Sequence, residues 1–195
     1  MYASPSRNTQ PTWTWPGIPH SFSYIVTLNN NNPVEVFTNS YQPPIALSEG
    51  SHTIKVKAKS QVGNLSNTEG VHTVIIDTTP PNVPVITTDK TLTNNARPVF
   101  SWARTDDAFE YGVVLDTGSE VKQTSNSYIP STNLSDGDHT LKVRVRDNVM
   151  SGNWSAYGSI TIKVDTTPPS NPSISGPSLS RDRTPTFTWD STGSP

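Results

Sequence analysis

Short runs in which apolar and polar residues alternate recur along the chain. Phe100 and Trp102 fall on one face, with Val99 and Ser101 on the other. Tyr111, Val113 and Leu115 share a face. Leu141, Val143 and Val145 share another, opposite Lys142, Arg144 and Arg146, and Ile160, Ile162 and Val164 form a fourth. The first part of the chain carries the same set: Trp13 with Trp15; Tyr24, Val26 and Leu28; Ile54, Val56 and Ala58; Val74 and Ile76. Period two marks half-buried β-strands. Turn-forming stretches separate the runs, at 29–33, 116–118, 135–137 and 151–153. No helical period interrupts them. The pattern predicts an all-β chain whose short strands pack as sandwiches.

The runs are copies of one another. Pro11-Thr12-Trp13-Thr14-Trp15 returns as Pro98-Val99-Phe100-Ser101-Trp102 and again as Pro185-Thr186-Phe187-Thr188-Trp189, each time 87 residues on. Leu47-Ser48-Glu49-Gly50-Ser51-His52-Thr53-Ile54 returns at the same offset as Leu134-Ser135-Asp136-Gly137-Asp138-His139-Thr140-Leu141. Asn64-Leu65-Ser66 meets Asn153-Trp154-Ser155 at 89, and Asp77-Thr78-Thr79-Pro80-Pro81 meets Asp165-Thr166-Thr167-Pro168-Pro169 at 88. A fixed period of this length signals a tandem array. The expected organisation is a first repeat over 1–79 that lacks its opening strand, a complete second repeat over 80–167, and the opening fragment of a third over 168–195. About seven strands are expected in each complete repeat.

The order of these motifs resembles the bacterial immunoglobulin-like and fibronectin type III-like repeats of large surface and secreted proteins. The resemblance implies tandem immunoglobulin-like β-sandwiches. It also implies a buried tryptophan on the second strand, the place of Trp15, Trp102 and Trp189. Trp15, Trp102, Tyr24, Tyr111 and Val143 are the expected structural core. A tyrosine corner is part of the fibronectin type III pattern; His52 and His139 stand near that place, where an imidazole N–H could replace the phenol O–H.

Composition narrows the function classes. Only 31% of residues are hydrophobic, a level that disordered chains share, but five Trp, six Tyr and five Phe favour strands. A net charge of −2 without basic clusters excludes a nucleic-acid surface. No apolar run is long enough to insert in a membrane, and Met1-Tyr2-Ala3-Ser4-Pro5 has no signal-peptide pattern. The absence of cysteine excludes thiol catalysis, cysteine-ligated zinc and disulfide staples. No nucleophile elbow, zinc-protease or phosphate-loop motif occurs. The carboxylate pairs Asp106–Asp107 and Asp136–Asp138 lie in turns rather than across a cleft. The chain therefore reads as a non-enzyme without a cofactor.

Several residues are candidates for binding. Asp77 and Asp165 close the last strand of each repeat and could hold calcium with Asp106, Asp107 or Asp136, although calcium takes six to eight oxygens; alternatively each caps the following Thr amides. His52 and His139 lack the convergent partners of a metal site. Lys55, Lys57 and Lys59, with Lys142, Arg144 and Arg146, form an outward basic stripe that could hold an anionic glycan or a protein. Alternation of this kind is the ordinary pattern of an antiparallel sheet, and it favours a solvated face paired with Glu35 or Glu120. Trp154, read as starting the last strand where the first repeat has Leu65, could stack on a sugar or pack at the sandwich edge. Asn64, Asn133 and Asn153 head glycosylation patterns that matter only in a eukaryotic secreted protein.

These features predict a non-catalytic structural or adhesive module: a semi-rigid stalk segment of a bacterial cell-surface or secreted protein, joined by short Pro-fixed linkers. The alternatives are a glycan- or host-protein-binding module of an adhesin and a spacer in a secreted hydrolase. Expected partners are the neighbouring repeats, a glycan or cell-surface protein, and a second copy through the third-repeat fragment.

Overall fold

The computed structural model describes residues 5–105, 108–149 and 152–189. Asp106, Asp107 and the turn residue Ser151 lie outside the described residues. The described secondary structure is entirely strand. The first repeat contributes β1 (Trp13–Thr14), β2 (Ser23–Leu28), β3 (Val34–Val36), β4 (Ser40–Tyr41), β5 (Gly50–Lys59) and β6 (Gly70–Ile76). The second contributes β7 (Ile86–Thr88), β8 (Leu92–Thr93), β9 (Phe100–Trp102), β10 (Ala108–Leu115), β11 (Val121–Gln123), β12 (Ser127–Tyr128), β13 (Gly137–Asp147) and β14 (Gly158–Val164). A short hairpin of β15 (Ile174–Ser175) and β16 (Thr188–Trp189) follows.

In the second repeat a small sheet, β12-β9-β7, faces a larger one, β11-β10-β13-β14-β8. The pairings are antiparallel except that β8 runs parallel to β14. The opening segment thus starts in one sheet as β7 and crosses to the other as β8, which raises the strand count to eight. In the first repeat β1 pairs with β4, and β3-β2-β5-β6 form the larger sheet. A single parallel bridge from Ser6 to Ile76 takes the place of β8. Among the described residues, no strand holds the place beside β1 that β7 holds beside β9.

The alternation read from the sequence is the alternation of burial. In β13 the inward Leu141, Val143 and Val145 are fully buried, as are Ile162 and Val164 of β14. With Phe100, Trp102, Tyr111 and Val113 they form one cluster. Trp13, Val26, Ile54, Val74 and Ile76 form its counterpart in the first repeat. Trp102 lies edge-on to Tyr111 at 5.4 Å, and Trp15 edge-on to Tyr24 at 5.3 Å. The expected core needs one correction. Tyr24, Tyr111, Val143 and Trp102 are buried, but Trp15 is only half-buried and packs on the margin of its cluster. The difference is one of cover: Ile86 of β7 lies opposite Trp102, and no described strand lies opposite Trp15 in that way.

Turns are set by residues in the left-handed region. Asn29 and Asp116, equivalent in the two repeats, both have φ of 53°. Each side-chain oxygen accepts a backbone N–H across the turn, from Thr53 at 2.9 Å and from Thr140 at 2.8 Å. Asn and Asp tolerate this conformation because their short polar side chains bond locally.

Trp102→Ala is expected to destabilise the second repeat by ~3–5 kcal/mol, the usual range for emptying a large aromatic site. Trp15→Ala, at a half-buried position, is expected to cost clearly less. Urea unfolding followed by circular dichroism reads both, and equal costs would contradict this account of the core.

Candidate functional site

The basic stripe of the second repeat is not a row of free cations. Arg144 forms a forked pair with Glu120, at 2.7 and 2.9 Å, and Arg146 sits 2.9 Å from Glu110. Lys122 lies 3.5 Å from the same Glu110. The guanidinium of Arg144 is held 4.3 Å from the Trp154 ring centre and 5.0 Å from that of Tyr157. Arg146 lies 4.5 Å from the Phe109 ring and 5.9 Å from Trp154. Cations and rings therefore alternate along the sheet face in the order Tyr157, Arg144, Trp154, Arg146, Phe109. Tyr157 donates a short hydrogen bond to Glu120 as well. Arg144 and Tyr157 hold the Glu120 carboxyl below its ordinary range, and the same carboxylate raises Arg144.

A planar guanidinium suits this stacking, and each such contact is worth about 0.5–1 kcal/mol at exposed sites. The arrangement places Arg144, Arg146 and Trp154 against one another, with ring faces already occupied by cations. Trp154 does not start a strand. It makes an isolated bridge to Arg146, and β14 begins only at Gly158. Lys142 is exposed on the same strand. In the first repeat Leu65 and two lysines stand in these positions, and Lys59 pairs with Glu35 at 3.0 Å.

The junction carboxylates act on the linker. The Asp77 carboxylate accepts the Thr79 amide at 3.1 Å, and Asp165 accepts that of Thr167 at 3.2 Å. Glu49 accepts the Thr78 amide and hydroxyl, and Asp136 likewise accepts from Thr166 and from the Thr167 hydroxyl. These donors lower the Asp136 carboxyl to about 2. Asp77 shares the lining of the junction groove with Arg104, a cation. Among the described residues no group of three or more His, Cys, Asp or Glu side chains is placed to hold a metal ion.

Both histidines bond back to the chain four residues upstream, His52 Nε2 to the Ser48 carbonyl at 2.8 Å and His139 Nε2 to that of Ser135 at 2.9 Å. The other ring nitrogen differs. His52 Nδ1 meets the Asn29 amide at 2.6 Å, so it accepts while Nε2 donates. His139 Nδ1 meets the Asp116 carboxylate at 2.8 Å, so both nitrogens donate. Asp116 and the Ser135 carbonyl accordingly raise the His139 pKa.

One feature without a motif in the sequence is the contact between repeats. The buried Asp147 carboxylate accepts the amides of Val149 and Asn153 at 3.1 and 2.9 Å, and the Asn153 side-chain amide at 2.8 Å. This fixes a turn that reaches the first repeat. Asn153 Nδ2 also donates to the Asp77 carbonyl at 3.0 Å, and Arg7 Nη1 donates to the Gly152 carbonyl at 3.0 Å. Val149 and Asn153 are buried there. Only the recurrence of Asn64 as Asn153 hinted at it.

Residues 86–166 match the family model of a bacterial Ig-like domain, and residues 37–99 match that of a bacterial Ig-like domain of group 3. Similar solved structures include fibronectin(III)-like modules of Clostridium thermocellum CbhA, at 13% identity and a TM-score of 0.46, covering 82% of this chain and 87% of that one. Domains FN1–FN3 of chicken CNTN1 align at 16% identity and a TM-score of 0.43, covering 82% and 64%. A Ca2+-stabilised, ice-binding adhesin of an Antarctic bacterium aligns at 17% identity and a TM-score of 0.46, covering 87% of this chain and 46% of that one. No curated protein matches the chain.

A raised folded-state pKa means that His139 contributes stability fully below its unfolded value of 6.5, and that this contribution is lost as pH rises through the folded value. Unfolding of the second repeat is expected to become easier above that point, and Asp116→Asn to flatten the dependence. Urea midpoints measured across pH check this; an unchanged slope in the variant would contradict it.

Proposed function

The chain belongs to the bacterial immunoglobulin-like repeats, and from that premise we propose that it is a non-catalytic structural segment. It serves as part of a semi-rigid stalk in a multi-repeat protein at a bacterial surface or outside the cell. The observation that carries this reading is the junction. Asn153 and Arg7 bind main-chain carbonyls across it, and the Thr-Thr-Pro-Pro linker is tied down by Asp77 and Glu49. A freely jointed tether has no use for a buried turn that grips its neighbour. Two modules held at a fixed angle transmit position and force, which is the work of a stalk.

The occupied ring faces of the arginine ladder also favour a structural role over direct glycan stacking. Arg144 stacks on Trp154 and Tyr157 and Arg146 on Phe109, so one face of each ring is taken within the protein, while Phe109 and Tyr157 keep 49% and 41% exposure.

The absence of cysteine makes pairs of spin labels simple to place, one on each repeat. Pulsed electron resonance is expected to give a narrow inter-repeat distance distribution that broadens in an Asn153→Ala, Arg7→Ala double variant. A broad distribution in the unaltered chain would overturn the semi-rigid stalk. Glycan-panel and cell-surface binding, with and without calcium, is expected to show no saturable interaction. Saturable binding would replace the stalk with an adhesive module, and calcium dependence would implicate the junction acids.

A further inference from the structure

The two arginines of the ladder end in different places. Arg144 has Glu120, Trp154 and Tyr157 as its partners, and all three lie outside the turn at 147–153. Arg146 reaches that turn. Its guanidinium lies over the Phe109 ring, and its Nε is 2.9 Å from Glu110. The pair lacks the alignment of a hydrogen bond, so charge and ring contact hold the cation. The stem of the same side chain lies on Gly152. A Cβ at Gly152 would stand 2.2 Å from Arg146 Cδ and 2.4 Å from Cγ, far inside the contact distance of two carbons.

A bulge aims both holding groups at Arg146. The register of β10 on β13 is regular from Leu115 opposite Leu141 to Glu110 opposite Arg146, and then shifts so that Ala108 faces Asp147. Phe109 is the extra residue. A bulge sets two residues of one strand against one of the next and re-aims a side chain. Here a ring and a carboxylate from neighbouring residues meet one guanidinium. The first repeat lacks the shift, with Ser23 opposite Lys59 and Tyr24 opposite Ala58. Its Phe22, the counterpart of Phe109, lies edge-on to Phe37 at 5.5 Å, and Lys59, the counterpart of Arg146, pairs with Glu35. The arrangement around Arg146 is therefore written in the residues of the second repeat and not in the fold.

Gly152 is also where the first repeat takes hold. Its carbonyl accepts Arg7 Nη1 at 3.0 Å, and the next residue, Asn153, donates from Nδ2 to the Asp77 carbonyl. Asp147 ties this turn from within, through the amides of Val149 and Asn153. Arg146 presses on it from the outer face.

We propose that Arg146 is a positioning residue for the joint. Phe109 and Glu110 fix its guanidinium, and its stem then holds Gly152 where Arg7 can bind the carbonyl. The outer-face ladder and the angle between repeats are thereby coupled through one side chain. The proposal rests on the reading of the joint as semi-rigid, and adds the residue that sets it.

The test is the inter-repeat distance distribution of the full chain, read by pulsed electron resonance between one spin label on each repeat. Arg146→Ala is expected to broaden it. So is a Phe109→Ala, Glu110→Gln double variant, which leaves Arg146 and Gly152 in place and releases only the guanidinium. Arg144→Ala, a loss of equal size on the same ladder, is expected to leave the distribution narrow. Because Arg146 acts through the carbonyl that Arg7 binds, Arg146→Ala added to Arg7→Ala is expected to broaden it no further than Arg7→Ala alone. Circular dichroism checks that each variant is folded, and the double variant decides the matter if Arg146→Ala does not fold. A distribution that stays narrow in either variant, equal broadening by Arg144→Ala, or additive broadening with Arg7→Ala would overturn the role of Arg146 and leave the stalk standing. A broad distribution in the unaltered chain would overturn both.

Discussion

An indole lies edge-on against a tyrosine ring in both repeats, and each pair joins the small-sheet side of its repeat to the large sheet, although Trp15 stands just past the end of β1. Trp102 comes from β9 of the small sheet and Tyr111 from β10 of the large one; Trp15 and Tyr24 repeat the contact at an interplanar angle of 70°. With a low apolar content and no disulfide, these modules rely on few large side chains to close the sandwich. The contact also sets register. A slip of one residue in β9 or β10 would turn the ring to solvent and bring its polar neighbours inward. The indole Nε1 atoms of Trp15 and Trp102 are buried with no hydrogen-bond partner among the described residues. The pair therefore contributes through apolar burial and ring geometry, against the desolvation cost of that N–H.

The strands were legible because this constraint is periodic. Leu141, Val143 and Val145 alternate with Lys142, Arg144 and Arg146 in sequence, and burial follows them residue by residue. What the pattern could not carry is anything supplied from outside a strand. Trp15 and Trp102 occupy the same place in the same motif, yet one is half-buried and the other covered by Ile86. Gly152 and Asn153 read as polar turn chemistry, and their bonds to Arg7 and to the Asp77 carbonyl come from a distant part of the chain. The outward stripe and its pairing with Glu35 and Glu120 were legible; the stacked rings were not, because Phe109, Trp154 and Tyr157 reach Arg144 and Arg146 from separate segments.

The two repeats share a backbone and differ in electrostatics at matched positions. Where the first has Asn29 beside its corner histidine, the second has Asp116, which puts a carboxylate acceptor at Nδ1 in place of an amide donor. Leu65 and lysines in one become Trp154 and arginines in the other, which replaces a simple Lys59–Glu35 pair by a ladder of rings and guanidinium groups. Arginine permits this and lysine does not, because only a planar, weakly hydrated cation lies flat between two rings. The scaffold tolerates such exchange because these positions lie on the outer face, away from the indole–tyrosine contact.

Connectivity ties the joint to the fold. The segment that leaves the first repeat at Asp77 runs through the proline linker and becomes β7, the strand that covers Trp102. The turn that grips the Asp77 carbonyl belongs to the same second repeat. Docking of the junction and completion of the small sheet therefore use one stretch of chain, 77–88, held at its start by Asn153, Glu49 and Asp77 and at its end by β9. A change in linker length or stiffness would be felt twice, in the angle between repeats and in the cover over the core. The joint between the repeats and the cover over the second core thus depend on one segment, since the second repeat is finished by the strand that the first delivers.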